Sequence, residues 1–224
     1  MQIKHVFFDL DHTLWDFETN SDKAYLSCFE NHRITVDFNR FMLKYKPINE
    51  AYWKRYRENQ VSKDDLKYGR LKDAFNALNY AISDDLIFKI AEEYLELLPQ
   101  YNHLFDGTIE ILEYLKPKYQ LHIITNGFSE IQNHKLFNSG LHHYFDKIIT
   151  SENAGVKKPN PLIFEYALQI TQAKATESMM IGDNLEADVN GALQVGFSAL
   201  HFVPEQDKLQ KNQINQLRQI VNYL

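Results

Sequence analysis

The chain has 224 residues, of which 44% are hydrophobic and 24% are charged, and its formal net charge is −6. This composition is typical of a soluble globular protein, and a negative surface argues against nucleic acid polymers as partners. The single cysteine, Cys28, excludes an internal disulfide, and no cysteine and histidine cluster suggests zinc. Because no signal-peptide core and no long apolar run is present, we expect a cytoplasmic protein that does not enter a membrane.

The first predicted element is a buried strand over residues 3–10, a short apolar run that stops at acidic residues. From about residue 17 to about residue 98 the sequence indicates no strand, and apolar spacing favours helices at residues 65–78 and 84–98. Ser83 and Pro99 are typical of the start and the end of the second of these helices. A helical insertion of this length can form a small bundle after the first strand.

The rest of the chain alternates strands with helices. The predicted strands cover residues 121–125, 147–151, 178–181 and 198–203. The predicted helices cover residues 108–116, 129–138, 161–171 and 185–195. This alternation is typical of a parallel sheet that helices cover on both faces. The sequence therefore predicts an α/β fold with a Rossmann-like parallel sheet core over residues 1–16 and 104–224, and an inserted helical domain over residues 17–103.

Polar residues follow four of the predicted strands. They are Asp9 and Asp11 after the first strand, Thr125, Asn126 and Gly127 after the second, Lys158 after the third, and Asp183 and Asp188 after the fourth. In parallel α/β sheets, ligands bind beyond the carboxyl ends of the strands. We therefore expect these residues to gather on one rim of the sheet.

The acidic residues of this group indicate a metal site. Asp9 and Asp11 are two residues apart in an extended segment, so their side chains point the same way, and Asp183 adds a third acid from another strand end. A cation relieves the repulsion between neighbouring carboxylates. A few hard oxygen ligands that leave room for water and a phosphate favour Mg²⁺ over Ca²⁺.

The same residues suit phosphoryl transfer, which needs an in-line nucleophile, a proton donor and positive charge around the transferring group. Asp9 is the candidate nucleophile, and Asp11 is the candidate acid that protonates the leaving oxygen and later activates water. Lys158 balances charge on Asp9 and on the phosphate. Thr125 and the backbone N–H groups near Asn126 and Gly127 are placed to hold phosphate oxygens.

Each motif also has a purely structural interpretation. Threonine, asparagine and glycine in succession are typical of a turn, and a lysine before a proline is typical of a solvated loop. Asp188 suits the first turn of a helix, where negative charge is favoured. Only the order, spacing and placement of the four motifs together favour a catalytic site.

The four motifs resemble those of the haloacid dehalogenase (HAD) superfamily, and the match covers nearly the whole chain. The motifs are DLDHT at residues 9–13, ITNG at 124–127, GVKKP at 155–159 and GDNLEAD at 182–188. The resemblance implies that Asp9 is the nucleophile and Asp11 the acid and base. It also implies that Asp9, the backbone carbonyl of Asp11 and Asp183 hold Mg²⁺, and that Asp188 supports the metal site or Lys158.

Two positions at which family members differ from one another, those of Asp11 and His12, bear on the chemistry. Dehalogenases of this superfamily lack an acid at the position of Asp11, so the acid here favours phosphoester chemistry. His12 stands where many relatives have glycine, asparagine or glutamate, and its role stays open. The helical insertion resembles the superfamily's C1 cap.

A closer resemblance is to the pyrimidine 5′-nucleotidase branch, whose members are regarded as house-cleaning enzymes for non-standard nucleotides. Matching stretches lie in the insertion, as INEAYW at residues 48–53, and in the core, as TNGFSEIQ at 125–132 and SENAGV at 151–156. The resemblance implies a nucleoside monophosphate as substrate. Trp53 and Arg70 are then candidate substrate-binding residues, although such side chains in a helical module are also typical of its core.

Three alternatives stay open beside a nucleotidase. They are a phosphatase for sugar phosphates or other small phosphorylated metabolites, a phosphomutase or phosphotransferase, and a non-catalytic binding module. The last is disfavoured because Asp9, Asp11, Lys158 and Asp183 are all present. Monomer and homodimer are both compatible with the sequence.

Overall fold

The computed structural model describes residues 2–224, which divide into two compact units. One unit comprises the chain up to Phe17 together with Asn102–Leu224, and the other is Glu18–Tyr101. The boundaries expected from the sequence lie at residues 16/17 and 103/104.

Four helices account for most of the Glu18–Tyr101 unit, which has no strand. They are α1 (Phe17–Asn31), α2 (Phe38–Arg57), α3 (Lys63–Asn76) and α4 (Asp84–Leu97). The helices predicted at residues 65–78 and 84–98 are confirmed as α3 and α4. The Ser83 side chain accepts a hydrogen bond from the backbone N–H of Leu86, which confirms the predicted cap, and α4 ends shortly before Pro99.

The other unit is built on a six-stranded parallel sheet. Its strands are β1 (His5–Phe8), β2 (Gln120–Thr125), β3 (Lys147–Thr150), β4 (Ser178–Gly182), β5 (Ser198–Phe202) and β6 (Gln213–Ile214). Their order is β3-β2-β1-β4-β5-β6, and every pairing is parallel. The predicted α/β class with a parallel sheet is confirmed, while the two-residue strand β6 has no counterpart in the sequence prediction.

Helices connect the strands, as the alternating pattern predicts. They are α5 (Thr108–Leu115), α6 (Ser129–Asn138), α7 (Ser151–Ala154), α8 (Pro161–Thr171) and α9 (Gly191–Gln194). The segment Leu185–Asn190, predicted as the start of an α-helix, is instead a π-helix that leads into α9. There the backbone N–H of Asn184 donates to Asp188 Oδ2 at 3.0 Å, which fastens the acidic side chain over the start of the widened turn. Of the helices that the structure describes, none is both long and apolar enough to span a membrane.

The centre of the sheet is apolar on both faces. All four residues of β1 are buried, and β1 lies between β2 and β4 in the sheet, as expected for a central strand of a parallel sheet. One core cluster joins Phe7 of β1 to Ile124 of β2, Met180 of β4 and Phe164 of α8. Burial of these side chains fixes the register of three adjacent strands, and so aligns their carboxyl ends.

Two histidines lie side by side in β1 and β2. His5 Nδ1 and His122 Nε2 are 3.2 Å apart, and the His122 ring packs against Phe7 with 4.7 Å between ring centroids. The His122 side chain is 1% exposed, and burial lowers its pKa to about 4. Burial also lowers the pKa of His5. The folded protein therefore favours the neutral form of both side chains.

We expect acid to destabilise the protein through His122. Its folded-state pKa of about 4 lies below the ordinary value of 6.5. The stability contributed by neutral His122 is therefore fully present above pH 6.5 and is lost as the pH falls toward 4. By about pH 5 the free energy of unfolding should fall by about 2 kcal/mol relative to about pH 8 on this account alone.

Urea unfolding of the wild type and His122→Leu at both pH values measures this loss. The loss on acidification should be about 2 kcal/mol smaller in His122→Leu, since leucine does not titrate. Replacing the exposed His142 in the same way is the control and should keep the wild-type loss. Equal losses in His122→Leu and the wild type would contradict the prediction.

Candidate active site

Asp9 lies directly beyond β1, at the carboxyl end of a fully buried strand of the sheet. Its backbone N–H donates to the carbonyl oxygen of Ile181 at 2.9 Å, which ties the end of β1 to β4. The Asp9 residue is 7% exposed. Burial raises the pKa of Asp9 well above its ordinary value, and the ammonium group of Lys158 opposes that rise. A carboxylate at this position therefore depends on neighbouring positive charge.

Lys158 supplies part of that charge from the centre of a buried ion-pair group. Its Nζ lies 2.6 Å from Asp9 Oδ1 and 2.7 Å from Asp188 Oδ1, and it donates to the carbonyl oxygen of Ile124 at 2.6 Å. Burial works against the charge of Lys158, but Asp188 and Asp9 more than offset it and raise its pKa. Lys158 is therefore a permanent cation that joins two carboxylates.

Asn126 fixes the backbone of Lys158 from the end of β2. Its Nδ2 donates to the carbonyl oxygen of Lys158 at 3.0 Å, and its Oδ1 accepts from the backbone N–H of Lys158 at 2.8 Å. Both hydrogen-bonding ends of this amide are therefore committed to the lysine backbone. The sequence suggests Asn126 as a phosphate contact, and the structure adds the role of positioning Lys158.

Asp9, Asp183 and Asp188 form the acidic cluster of the site. One carboxylate oxygen from each lies within 4.8 Å of the other two. Thr13 holds Asp183 in place, because its hydroxyl accepts from the Asp183 backbone N–H at 3.1 Å and donates to Asp183 Oδ1 at 3.3 Å. Burial and the charge of Asp188 raise the pKa of Asp183 to about 7.

This donor set fits a divalent cation. Three buried or half-buried carboxylates face one ammonium group, that of Lys158, so the cluster is short of positive charge. Burial and the neighbouring carboxylates raise the pKa values of Asp9 and Asp183, so their charged forms need further positive charge. Hard carboxylate oxygens at this spacing are ligands that Mg²⁺ accepts.

Asp11 faces a different pair of side chains. Its Oδ1 lies 2.6 Å from Nζ of Lys135, and its Oδ2 accepts from Nε2 of Gln132 at 3.0 Å. Its side chain is not a member of the acidic cluster. Asp11 is predicted to bind the metal through its backbone carbonyl, which leaves the carboxylate available for acid and base work.

Thr125 and Gly127 form the turn at the end of β2. The Thr125 Oγ1 accepts hydrogen bonds from the backbone N–H of Gly127 at 3.0 Å and from Gln132 Nε2 at 2.7 Å. Both bonds use acceptor lone pairs, so the hydroxyl hydrogen of Thr125 can be donated to a ligand oxygen. A side chain on Gly127 would collide with Gln132, which explains the glycine.

His12 directly follows Asp11 in the DLDHT motif. Its φ is 64°, in the left-handed region, and its ring packs against Phe17 with 4.8 Å between centroids. Glycine and asparagine adopt this conformation more readily than most residues. The sequence alone assigns His12 no role, and the structure gives it a backbone one.

The two predicted substrate-binding residues of the insertion differ in their surroundings within the helical unit. Trp53 of α2 is half-buried. Arg70 of α3 is 2% exposed, donates to Asn49 Oδ1 at 2.9 Å, and lies over the rings of Tyr45 and Tyr94. The guanidinium of Arg70 is thus already surrounded by side chains of its own unit.

Sequence reasoning missed Lys135 and Gln132 as site residues. Both are buried on α6, where residues three and four apart share a face with Phe128 and Leu136. Gln132 and Lys135 lie seven and ten residues after Thr125, on the apolar face of the predicted helix. Polar residues on that face indicate that the helix borders a polar site. Thr13 belongs to the DLDHT motif, but the sequence assigns it no role of its own.

Comparison with known proteins places the chain in a family. The model of haloacid dehalogenase-like hydrolases matches residues 3–196. The pyrimidine 5′-nucleotidase PynA of Streptococcus pneumoniae is 32% identical over 206 residues, which cover 91% of this chain and 85% of that protein. The glyceraldehyde 3-phosphate phosphatase of Methanothermobacter thermautotrophicus is 30% identical over an alignment 236 residues long. The alignment covers 98% of this chain and 100% of that protein.

A solved structure agrees with this assignment. The magnesium-bound crystal structure of the HAD-hydrolase YfnB from Bacillus subtilis matches with a TM-score of 0.91 and 28% identity, covering 100% of this chain and 99% of that one. The chain belongs to the haloacid dehalogenase-like hydrolases, as the four motifs indicate.

We expect Asn126→Ala to destabilise the site. The change removes two hydrogen bonds to the Lys158 backbone and leaves buried polar groups without partners, so the free energy of unfolding should fall by about 1–3 kcal/mol. Urea unfolding measures the loss. The exposed Asn133 on α6, changed to alanine, is the control and should stay within about 0.5 kcal/mol of the wild type. Equal stability of the two variants would contradict the assigned role of Asn126.

Proposed function

We propose that this hydrolase is a magnesium-dependent phosphomonoesterase that acts through an aspartyl-phosphate formed on Asp9. The observation that carries the proposal is the buried contact of Lys158 with Asp9 Oδ1, inside an acidic cluster suited to a divalent cation. Relatives named as a nucleotidase and as a phosphatase, and the magnesium in the YfnB structure, support it. Asp9, Asp183, Asp188 and the backbone carbonyl of Asp11 are the groups that would hold the ion.

In the first step, Oδ2 of Asp9 attacks the phosphorus atom of the substrate. A bond forms between Asp9 and phosphorus, and the bond from phosphorus to the leaving oxygen breaks. Asp11 gives its proton to that oxygen, so the product leaves as an alcohol. The hydroxyl of Thr125 donates a hydrogen bond to a negative oxygen of the transferring group, and the charge of Lys158 stabilises that group.

In the second step, Asp11 accepts a proton from a water molecule. The water oxygen bonds to phosphorus, the bond from phosphorus to Asp9 breaks, and inorganic phosphate leaves. Asp11 has then regained the proton that it gave up. A bound Mg²⁺ supplies the positive charge that the carboxylate cluster and the phosphate both lack.

We expect Asp9→Asn to lower phosphate release from p-nitrophenyl phosphate by about 10³-fold or more, because the amide is not a nucleophile. Phosphate release is measured with Mg²⁺ and after its removal by a chelator, and removal should abolish wild-type activity as well. Asp207→Asn, at an exposed acid, is the matched control. A folded Asp9→Asn protein with near-normal activity would exclude Asp9 as the nucleophile.

For the substrate, we propose a nucleoside monophosphate, with non-standard pyrimidine nucleotides foremost. PynA and the resemblance to its branch in both the insertion and the core support this choice. Of the two insertion residues suggested by the sequence, Trp53 is the better candidate for base stacking because it is half-buried, whereas Arg70 is enclosed.

A small sugar phosphate is the second candidate. The relative named glyceraldehyde 3-phosphate phosphatase aligns over its full length, so a triose phosphate has comparable support. The chemistry on Asp9 is the same for both candidates. They differ in whether a base is recognised.

We expect Trp53→Ala to separate these candidates. Loss of a stacked base costs about 1–3 kcal/mol, so KM for pyrimidine monophosphates should rise about tenfold, while KM for glycerol phosphate should not change. Tyr223→Ala, at another partly exposed aromatic residue, is the control. A wild-type enzyme that prefers triose phosphates, with nucleotide KM unchanged in Trp53→Ala, would replace the nucleotide proposal with the second candidate.

A further inference from the structure

We propose that Lys135 is a positioning residue for the acid and base Asp11, and that Gln132 joins the same carboxylate to the phosphate-binding turn. The inference rests on the proposed function and extends it to two residues outside the four motifs. Its basis is the contact geometry around Asp11 and the burial of α6.

The first observation is the burial of Lys135. The residue is 2% exposed, and its Nζ lies 4.2 Å from the ring centroid of Trp15 and 5.2 Å from that of Phe17. An ammonium group buried among aromatic rings is costly without a counter-ion. Asp11 is the carboxylate that meets it, with 2.6 Å between Lys135 Nζ and Asp11 Oδ1. The chain thus maintains a buried lysine whose ion-pair partner is the candidate proton donor.

The second observation is that both oxygens of Asp11 are held. Lys135 binds Oδ1, and Gln132 Nε2 donates to Oδ2 at 3.0 Å. Two donors from one helix fix the rotation of the carboxylate group as well as its position. General acid catalysis requires the donor to lie within hydrogen-bond reach of the leaving oxygen, so a fixed rotation is of direct use.

The third observation links Asp11 to the turn after β2. The amide nitrogen of Gln132 uses its two N–H groups on Asp11 Oδ2 and on Thr125 Oγ1, the second at 2.7 Å. The same side chain occupies the space next to Gly127 that a larger residue would fill. Lys135, Asp11, Gln132 and Thr125 therefore form one connected chain of contacts.

Lys135 does not duplicate Lys158. Lys158 contacts Asp9 and Asp188, whereas Lys135 contacts Asp11. Lys158 is expected to serve every substrate, because each one forms a bond with Asp9. Lys135 is expected to matter most when Asp11 must deliver a proton, which depends on the leaving group.

The test compares two substrates that differ in this need. The leaving group of p-nitrophenyl phosphate departs without a proton, whereas that of an alkyl phosphate such as glycerol phosphate requires one. Lys135→Met keeps the apolar part of the side chain and removes the ammonium. We expect kcat/KM for the alkyl phosphate to fall about 10²-fold, and that for p-nitrophenyl phosphate to fall less than about tenfold.

Two further variants complete the design. In an Asp11→Asn background, Lys135→Met should produce no further change in the ratio of the two kcat/KM values, because the residue acts through Asp11. Lys116→Met is the matched control, since Lys116 also pairs with an aspartate, Asp146, but at the surface. It should leave both kcat/KM values unchanged.

The outcomes separate this inference from the proposed function. Equal losses for the two substrates, persisting without Asp11, would overturn the positioning role of Lys135. If circular dichroism finds Lys135→Met unfolded, Gln132→Met decides, since an unchanged substrate ratio there overturns the inference. A wild-type protein that hydrolyses neither substrate would overturn the proposed function and the inference with it.

Discussion

The rest of the site depends on the burial of Lys158 between two carboxylates. An ammonium group inside a protein is tolerated only with partners at close range, and here Asp9, Asp188 and the carbonyl of Ile124 supply them. These partners come from the ends of β1 and β2 and from the π-helix after β4. The group forms only if β2, β1 and β4 are adjacent and in register, which is the order that the sheet has.

Much of this arrangement is predictable from the sequence because it follows local patterns. The apolar runs before Asp9, Thr125 and Asp183 predict buried parallel strands, and their polar ends then fall on one rim. Helices α3 and α4 follow from apolar spacing and caps. The strand β6 is too short to have a periodicity, and the π-helix differs from an α-helix by a hydrogen-bond shift that propensity does not encode.

The parts that could not be predicted depend on contacts between distant segments. The commitment of Asn126 to the Lys158 backbone joins residues 32 positions apart, and that of Lys135 to Asp11 joins residues 124 apart. In the sequence Asn126 belongs to a turn motif, and Lys135 belongs to a predicted helix with no assigned role. Only the fold shows that the Asn126 amide holds the backbone of Lys158 and that Lys135 is buried.

Asp9 and Asp11 illustrate how one residue type acquires two different environments within a short segment. Asp9 lies with Lys158 and the acidic cluster, while Asp11 lies with Lys135 and Gln132. Across the whole site, four carboxylates meet two ammonium groups, so the protein's own cations leave negative charge uncompensated. Burial, together with the charges of neighbouring aspartates, raises the pKa values of Asp9 and Asp183. Without a cation, the same buried carboxylates destabilise the fold, so the proposed metal binding would couple stability to the charge balance of the site.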